Sequence, residues 1–290
     1  MRLQLDCLPC FVKQILISLK HAGVDETRQF EIVAQLTDIY KDLDHSRSPA
    51  YTTTFLHRKI RAILGVDPFY EIKKRFNMIA SNVIEDYKGI ISEANDRLNT
   101  LTRLAIAGNI IDFGIFTSVD IHSTVSKALN EPLTIDRFDD FKRSIQNSEK
   151  ILYLTDNAGE IVFDKLLIEY LIQLGKDVTV AVKGSEVLND ATFEDARSIG
   201  LDKMCKIIDN GSDCVGTILE MTSNEFQEVF ETTDMIISKG QGNFETLHDC
   251  DEEGKTFFLF QSKCDILSRL LNVKKGAMLL THSKTDYKTL

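Results

Sequence analysis

The pattern of apolar and polar positions along the chain changes near residue 149. Before that point, apolar residues recur with the three- and four-residue spacing of amphipathic helices. After it, short runs that are apolar throughout alternate with segments of helical spacing. The sequence therefore predicts an all-helical domain over residues 1–148, followed by an α/β domain over residues 149–290.

Residues typical of helix ends divide the first half into separate helical segments. The first segment ends at Gly23 and has a lysine and a histidine in its final turn, which is typical of a helix C-terminus. The last segment is interrupted by glycine and weakly charged. The predicted helices cover residues 10–23, 27–43, 53–65, 68–94 (one long helix or two in series) and 99–114.

The apolar runs of the second half have the length of strands. Most are apolar on both faces, as expected for strands that helices cover on each side. The segments 160–175 and 191–200 between them have helical spacing and end in glycine. Such alternation predicts a three-layer α/β/α, Rossmann-like domain with a mostly parallel sheet and right-handed crossovers. The predicted strands cover residues 150–155, 177–183, 205–209, 234–239, 256–261 and 277–282.

Composition and charge narrow the class of partner. The chain is 43% hydrophobic and 27% charged, as in an ordinary globular protein. Its net charge of −10 argues against a nucleic-acid or anionic-membrane surface. No apolar stretch approaches the roughly 18 residues of a transmembrane helix, and the first residues lack the apolar core of a signal peptide. We therefore expect a cytoplasmic protein with reduced thiols; nothing in the sequence indicates its oligomeric state.

Polar side chains follow the predicted strands at their carboxyl ends, in the segments "TDNAGE" (155–160), "KGSEVLND" (183–190), "KGQGNFE" (239–245) and "QSKC" (261–264). In a parallel sheet these ends meet at one edge, where ligands bind. The residues expected to come together there are Asp156, Asn157, Asp190, Lys183, Lys239 and Lys263.

This group suits a phosphorylated small molecule. Carboxylate and amide oxygens are ligands for Mg²⁺, Mn²⁺ and similar hard cations, and lysines beside glycine turns suit phosphate. The alternative is that Asp156, Asn157 and Asp190 merely cap the helices that follow. The chain has no phosphate-binding P-loop run, and Ala158 stands where an aspartyl-phosphate phosphatase of the haloacid-dehalogenase type would have its second aspartate.

Cys7 and Cys10 form a CxxC pair at the start of a predicted helix. Two interpretations stay open: a pair of core thiols one helical turn apart, or part of a metal site completed by a distant residue such as His45 or His248. No second CxxC exists to complete a four-cysteine zinc site.

Several motifs in order resemble the damage-control phosphatases, metal-dependent enzymes long catalogued as a domain of unknown function with acidic-residue-methyltransferase-like relatives. The paired cysteines and the compact length are most similar to the prokaryotic and archaeal branch. The motifs span nearly the whole chain: "DCLPC" (6–10), "SPAY" (48–51), "GVDPFYEIKKRFN" (65–77), "AGNIIDFG" (107–114), "DNAGE" (156–160), "VKGSEVLNDAT" (182–192), "DNGSDCVGT" (209–217), "SKGQGNFETL" (238–247) and "SKCD" (262–265).

The resemblance implies a divalent metal (Mg, Mn, Co or Ni) held by Asp156, Asn157 and Asp190. It also implies that Asn109 and Asp112 close over the substrate from the helical half. Lys239 with Asn243 nearby would hold the phosphate, with further contacts from Lys263 and Lys183. Glu160 and Glu245 either orient the metal ligands or are simply acids in the first turn of a helix.

The expected activity is hydrolysis of small phosphorylated metabolites by a metal-activated water, which Asp156 or, as second choice, Asp190 would orient or deprotonate. Two other functions stay open. One is carboxyl methyl transfer from S-adenosylmethionine, although the first strand lacks a glycine-rich loop for the methyl donor. The other is non-catalytic binding of a phosphometabolite in the same cleft.

Overall fold

The computed structural model describes residues 1–110, 121–251 and 253–287. Within these residues the chain forms helices and strands in this order: α1 (Leu8–His21), α2 (Glu26–Leu36), α3 (Pro49–Leu64), α4 (Tyr70–Glu85), α5 (Lys88–Glu93), α6 (Arg97–Ile110), α7 (Ile121–Asn130), β1 (Ile135–Asp136), α8 (Phe138–Asn147), β2 (Lys150–Leu154), α9 (Glu160–Gln173), β3 (Asp177–Val182), α10 (Phe193–Ser198), β4 (Lys206–Asp209), α11 (Asn224–Thr232), β5 (Met235–Lys239), α12 (Gln241–Leu247), β6 (Thr256–Gln261), α13 (Asp265–Leu270) and β7 (Met278–His282).

The strands form one sheet in the order β1-β7-β6-β5-β2-β3-β4. All neighbours are parallel except β6 and β7, which are antiparallel. The predicted mixed α/β fold with a mostly parallel sheet is therefore confirmed. The sequence pattern does not predict β1, because two residues are too few to show a period.

Helices cover both faces of the sheet. Along β2, Ile151 and Tyr153 enter one apolar cluster together with residues of α6 and α9. Leu152 and Leu154 enter a second cluster on the other face, with residues of α11 and α12. This alternation is what a strand buried on both faces requires, and it explains why the apolar run at 151–154 is continuous.

The first helices pack over the carboxyl end of the sheet. Residues of α1, α2 and α3 form a third apolar cluster that also includes Ile266 of α13, just after β6. Arg58 and Arg61 of α3 both pair with Asp213, in the segment after β4. These contacts hold the N-terminal helices against the loops that follow the strands, which is where the candidate site lies.

The long helical stretch predicted over residues 68–94 is two helices, α4 and α5, separated at Asp86–Tyr87. Of the helix predicted over residues 99–114, the described part ends with α6 at Ile110. No helix of the described segments is both long and apolar enough to cross a membrane.

Candidate active site

The loops after β2 and β3 are joined directly through their backbones. Asn157 and Asp190 form an antiparallel bridge between the two loops. The amide of Ala191 donates to the carbonyl of Asp156 at 2.7 Å, and the amide of Ala158 donates to the carbonyl of Asn189 at 2.8 Å. The structure thus brings Asp156, Asn157 and Asp190 together at the carboxyl edge of the sheet, although they are far apart in sequence.

A glycine at the end of β5 makes room for the Asp156 carboxylate. Gly240 has a φ of +83°, and a Cβ atom at this position would lie 1.9 Å from Oδ2 of Asp156. Any other residue would therefore be strained in its backbone and would collide with the carboxylate. The glycine after Lys239 in the "KGQGNFE" segment has a structural reason that the sequence alone does not show.

The carboxylates at this edge are crowded and poorly neutralised. Burial raises the pKa of Asp156 well above its usual range, and the neighbouring Glu160 and Asp190 raise it further, while Lys263 and Lys183 counteract only part of the effect. Burial also raises the pKa of Asp190 to about 6, despite the nearby Lys183. Such a site favours a bound cation, which would stabilise the ionised carboxylates.

Lys183 and Asp190 are both buried, and Nζ of Lys183 lies 3.4 Å from Oδ2 of Asp190. The same ammonium donates to the carbonyl of Gly216. Oδ2 of Asp190 accepts no hydrogen bond within the described residues. Lys183 therefore neutralises part of the charge at Oδ2 of Asp190, the oxygen that lacks a hydrogen bond among the described residues.

Asn109 links the helical half to the carboxylates. This fully buried residue at the end of α6 donates through Nδ2 to Asp156 and to Glu160, each at 3.0 Å. Its Oδ1 accepts from the amide of Gln261 at 3.0 Å. Asn157 contacts the same two carboxylates through its own Nδ2, at 2.8 and 3.0 Å.

Asp112, predicted to act beside Asn109, lies outside the described residues.

Lys239 lies beneath these residues and has no solvent-exposed side-chain surface. Its ammonium donates to the carbonyl of Ala105 at 2.8 Å, to Glu160 at 2.7 Å and to Asp164. Burial lowers the pKa of Lys239, but Asp164 and Glu160 outweigh burial and raise it. The charged amine thus holds Glu160, which in turn fixes Asn109 and Asn157. In this structure Lys239 contacts site residues from below rather than from the cavity.

Asp164 is the residue of this network that sequence reasoning missed. It is fully buried on α9, one turn after Glu160, and also accepts from the hydroxyl of Tyr153 at 2.9 Å. A usable signal exists in the sequence: "EIVFDKLL" places two acids one helical turn apart in an otherwise apolar helix. Unpaired acids are rarely buried, so this pattern indicates a buried cation between them.

A cavity of about 250 Å³ opens above the carboxylates. Asp156, Asn157 and Asp190 line one end of it, together with Asn189 and Lys263. Helices α1 and α3 supply a mostly apolar wall that includes Phe11. Nδ2 of Asn189, although buried, has no hydrogen-bond partner among the described residues. The cavity thus combines two carboxylates with a cation and a free amide donor at one end.

Asn243 does not lie among the described residues that line the cavity. It is 1% exposed and fixes the backbone by donating to the carbonyls of Thr155 at 3.1 Å and Lys239 at 2.8 Å. Its Oδ1 accepts from the hydroxyl of Thr217 at 2.8 Å. Asn243 therefore ties the end of β2 to the end of β5.

Glu245 also lines the cavity and is buried. Its Oε1 accepts from Nε2 of Gln241 at 2.7 Å, and Oε1 of Gln241 accepts from the amide of Lys263 at 2.9 Å. Gln241 is thus a second residue that the sequence did not single out. Through it, Glu245 is connected to the loop that carries Lys263.

The free energy of unfolding of Glu245→Gln, relative to that of the wild type, is expected to increase as the pH rises. Burial raises the pKa of Glu245 from 4.5 to about 7, so folding favours the protonated carboxyl. The free energy of unfolding of the wild type should fall between these two values, by at most about 3 kcal/mol, whereas glutamine carries no such dependence. Urea unfolding at about pH 5 and about pH 8 measures this. A difference between variant and wild type that does not change with pH would contradict it.

Cys7 and Cys10 both line the cavity, Cys7 buried and Cys10 exposed. Cys7 belongs to the apolar cluster of the N-terminal helices, and Cys264 lines the cavity as well. Among the described residues no group of three or more His, Cys, Asp or Glu side chains is arranged so that it could hold a metal ion. Both interpretations of the pair, core thiols or part of a metal site completed by a distant residue such as His45 or His248, stay predictions.

The residues at the strand ends fit a hard cation by their chemistry. Two carboxylates and one amide, Asp156, Asp190 and Asn157, offer oxygen ligands at one end of a water-accessible cavity. Oδ2 of Asp190 has no hydrogen bond among the described residues, and burial raises the pKa values of both carboxyls. Oxygen ligands of this kind discriminate poorly among divalent metals.

Comparison with known proteins identifies the family of the chain. Residues 3–279 match the family described as the damage-control phosphatase ARMT1-like domain. The chain is 35% identical to the damage-control phosphatase PH1575 of Pyrococcus horikoshii over 289 residues, covering 98% of this chain and 99% of that protein. It is 31% identical to a damage-control phosphatase of Archaeoglobus fulgidus over 281 residues, covering 94% and 96%.

A solved structure shares the fold over the whole length. The crystal structure of the DUF89 family protein PH1575 from Pyrococcus horikoshii matches with a TM-score of 0.90 at 34% sequence identity. The match covers 98% of this chain and 100% of that one. The agreement therefore includes the N-terminal helices as well as the sheet.

Proposed function

The chain belongs to the damage-control phosphatase ARMT1-like family, and from this premise we propose that it hydrolyses phosphate monoesters of small metabolites with the help of a divalent cation. The observation that carries the proposal is the group of Asp156, Asn157 and Asp190 at one end of the cavity, beside Lys263. The two aspartates would repel an anionic substrate unless a cation were bound between them.

Asp156, Asn157 and Asp190 would hold the cation. When bound, a divalent metal supplies Lewis-acid polarisation of a phosphoryl oxygen and lowers the pKa of a water molecule. A carboxylate oxygen of Asp156 or Asp190 would orient a water molecule or accept its proton. Asp156 is our first choice for this role.

Two cavity-lining groups would receive the phosphoryl oxygens. Lys263 supplies a positive charge, and Nδ2 of Asn189 is a buried donor with no hydrogen-bond partner within the described residues. Both stand beside the carboxylates, so charge on the phosphoryl group would be neutralised where it develops. Lys239 and Lys183 would act by pairing with the acids of the site. Lys239 pairs with Glu160, and Lys183 pairs with Asp190.

The substrate is a small molecule. A cavity of about 250 Å³ accommodates a compact phosphorylated metabolite. The family membership supports phosphatase activity over methyl transfer and over non-catalytic binding, the two alternatives left open by the sequence.

Removal and return of metal tests the proposal. The protein is treated with chelator, then Mg²⁺, Mn²⁺, Co²⁺ and Ni²⁺ are added back in turn, and phosphate release is measured with a panel of sugar phosphates and nucleotides. We expect no release by the chelated protein and restored release with at least one metal. Release that is unaffected by chelation, or absent with every metal from folded protein, would contradict the proposal.

A further inference from the structure

One side chain of α4 contacts both loops that supply the candidate metal ligands. Oδ1 of Asn77 accepts from the amide of Gly159 at 2.6 Å, and Nδ2 of Asn77 donates to Oδ1 of Asp195 at 2.8 Å. Gly159 follows Asn157 by two residues, in the loop after β2. Asp195 lies in the first turn of α10, which begins shortly after Asp190.

The contact with Asp195 is relayed to the second loop. Oδ2 of Asp195 accepts from the amide and from the hydroxyl of Thr192, each at 2.9 Å, and so closes the capping box at the start of α10. Thr192 forms a parallel bridge with Lys183, the residue paired with Asp190. A continuous chain of hydrogen bonds therefore runs from Gly159 through Asn77 and Asp195 to Thr192.

The side chains of this hydrogen-bonded chain are buried and have several partners. Asn77 is 6% exposed and Asp195 is 4% exposed. Lys73, one turn before Asn77 on α4, is also buried and has Nζ 3.7 Å from Asp195 and 3.8 Å from Asp67. Buried and multiply bonded side chains of this kind have little freedom to adopt another rotamer.

We infer that Asn77 is a positioning residue that fixes the distance between the Asp156–Asn157 pair and Asp190. Asn77 itself is not among the described residues that line the cavity, so its effect must pass through the two loops. An asparagine suits this position because it presents one acceptor and one donor, which match the Gly159 amide and the Asp195 carboxylate.

The inference rests on the proposed cation site and makes a quantitative prediction about it. Residues that orient metal ligands typically change metal affinity about 10- to 100-fold when they are removed. Asn77→Ala should therefore weaken binding of Mn²⁺ to the folded protein by about this factor. Saturating metal should restore most of kcat, because no group that touches substrate has been removed.

Titration calorimetry of chelator-treated protein with Mn²⁺ measures the affinity without reference to any substrate. Asn82→Ala is the matched control, since Asn82 is an exposed asparagine on the same helix. It should bind Mn²⁺ as the wild type does. A merely structural role of Asn77 would lower the thermal midpoint of Asn77→Ala but leave the Mn²⁺ affinity of the folded fraction unchanged, and that result would overturn the inference.

Asn77→Asp provides a second variant if the alanine variant does not fold. The carboxylate retains an acceptor for Gly159 but replaces the donor to Asp195 with a like charge. We expect weakened Mn²⁺ binding here as well; wild-type affinity would show that the connection to Asp195 is not needed and would overturn the inference. If the wild type itself binds no divalent metal, the proposed function fails, which is a separate outcome.

Discussion

Asp156→Asn is expected to lower the rate of metal-dependent phosphate release by about 10³-fold or more, while the metal-free protein remains at least as stable as the wild type. The substitution removes one of only two carboxylates in the proposed ligand set. It keeps an oxygen that can accept from Asn109 and Asn157, so the loop after β2 should retain its conformation. Phosphate release at saturating Mn²⁺ and thermal unfolding in chelator provide the two readings.

The expected gain in stability follows from the direction of the pKa shift. Burial, Glu160 and Asp190 raise the pKa of Asp156 in the folded protein far above that of the unfolded chain. The contribution of this carboxyl to stability is therefore greatest at acidic pH and is lost as the pH rises toward the folded pKa. At neutral pH the amide avoids the cost of a crowded buried charge, so activity and stability should change in opposite directions.

Asp234→Asn is the matched control, because Asp234 lies at the opposite end of the sheet, before β5. Its Oδ2 accepts from the amides of Glu149 and Lys150 at 2.9 and 2.8 Å, and these bonds lower its pKa. The control should lose a little stability and keep full activity. If Asp156→Asn retained the metal-dependent rate of the wild type, Asp156 would not be a metal ligand.

The sequence predicts most of the sheet because its strands are continuous apolar runs. Residues 256–261, for example, are predicted and observed as a strand with the same bounds. The short β1 carries no such signal, since two residues cannot show a period and only pairing with β7 identifies it. The break between α4 and α5 is likewise set by local geometry and not by periodicity.

At the candidate site, topology explains what the sequence could predict. Asp156, Asn157 and Asp190 follow adjacent parallel strands, so their convergence follows from strand order alone. The position of a side chain above or below the strand ends does not follow from it. Lys239 ends a strand at the same edge, yet its ammonium lies beneath the carboxylates, because Glu160 and Asp164 on α9 attract it there.

The contact of Asn77 with both loops could not be predicted from the sequence either. The motif "GVDPFYEIKKRFN" indicates a helix, but nothing in its spacing shows that Asn77 meets Gly159 and Asp195. Such contacts between distant segments depend on how α4 packs against α9 and α10, which only the tertiary structure determines.

Lys239→Met is expected to cost about 3–5 kcal/mol of unfolding free energy, because it leaves two buried carboxylates without their cation. Glu160 and Asp164 have no exposed side-chain surface, so water cannot replace the lost partner. Methionine has a similar length and fills the space, which separates the loss of charge from the creation of a cavity. Urea unfolding of the chelator-treated protein at neutral pH measures the change.

The matched control is Lys41→Met, which removes a lysine paired with Asp38 at 2.7 Å on the surface, where the side chain of Lys41 is 75% exposed. We expect it to cost far less than Lys239→Met does, because water replaces the lost partner of an exposed ion pair. Adding Asp164→Asn to Lys239→Met should recover part of the stability by neutralising one of the two buried carboxylates. A loss for Lys239→Met no larger than that of the control would contradict this prediction. The buried cation would then serve to position Glu160 under Asn109 and Asn157, and its removal would be seen in Mn²⁺ affinity instead of in stability.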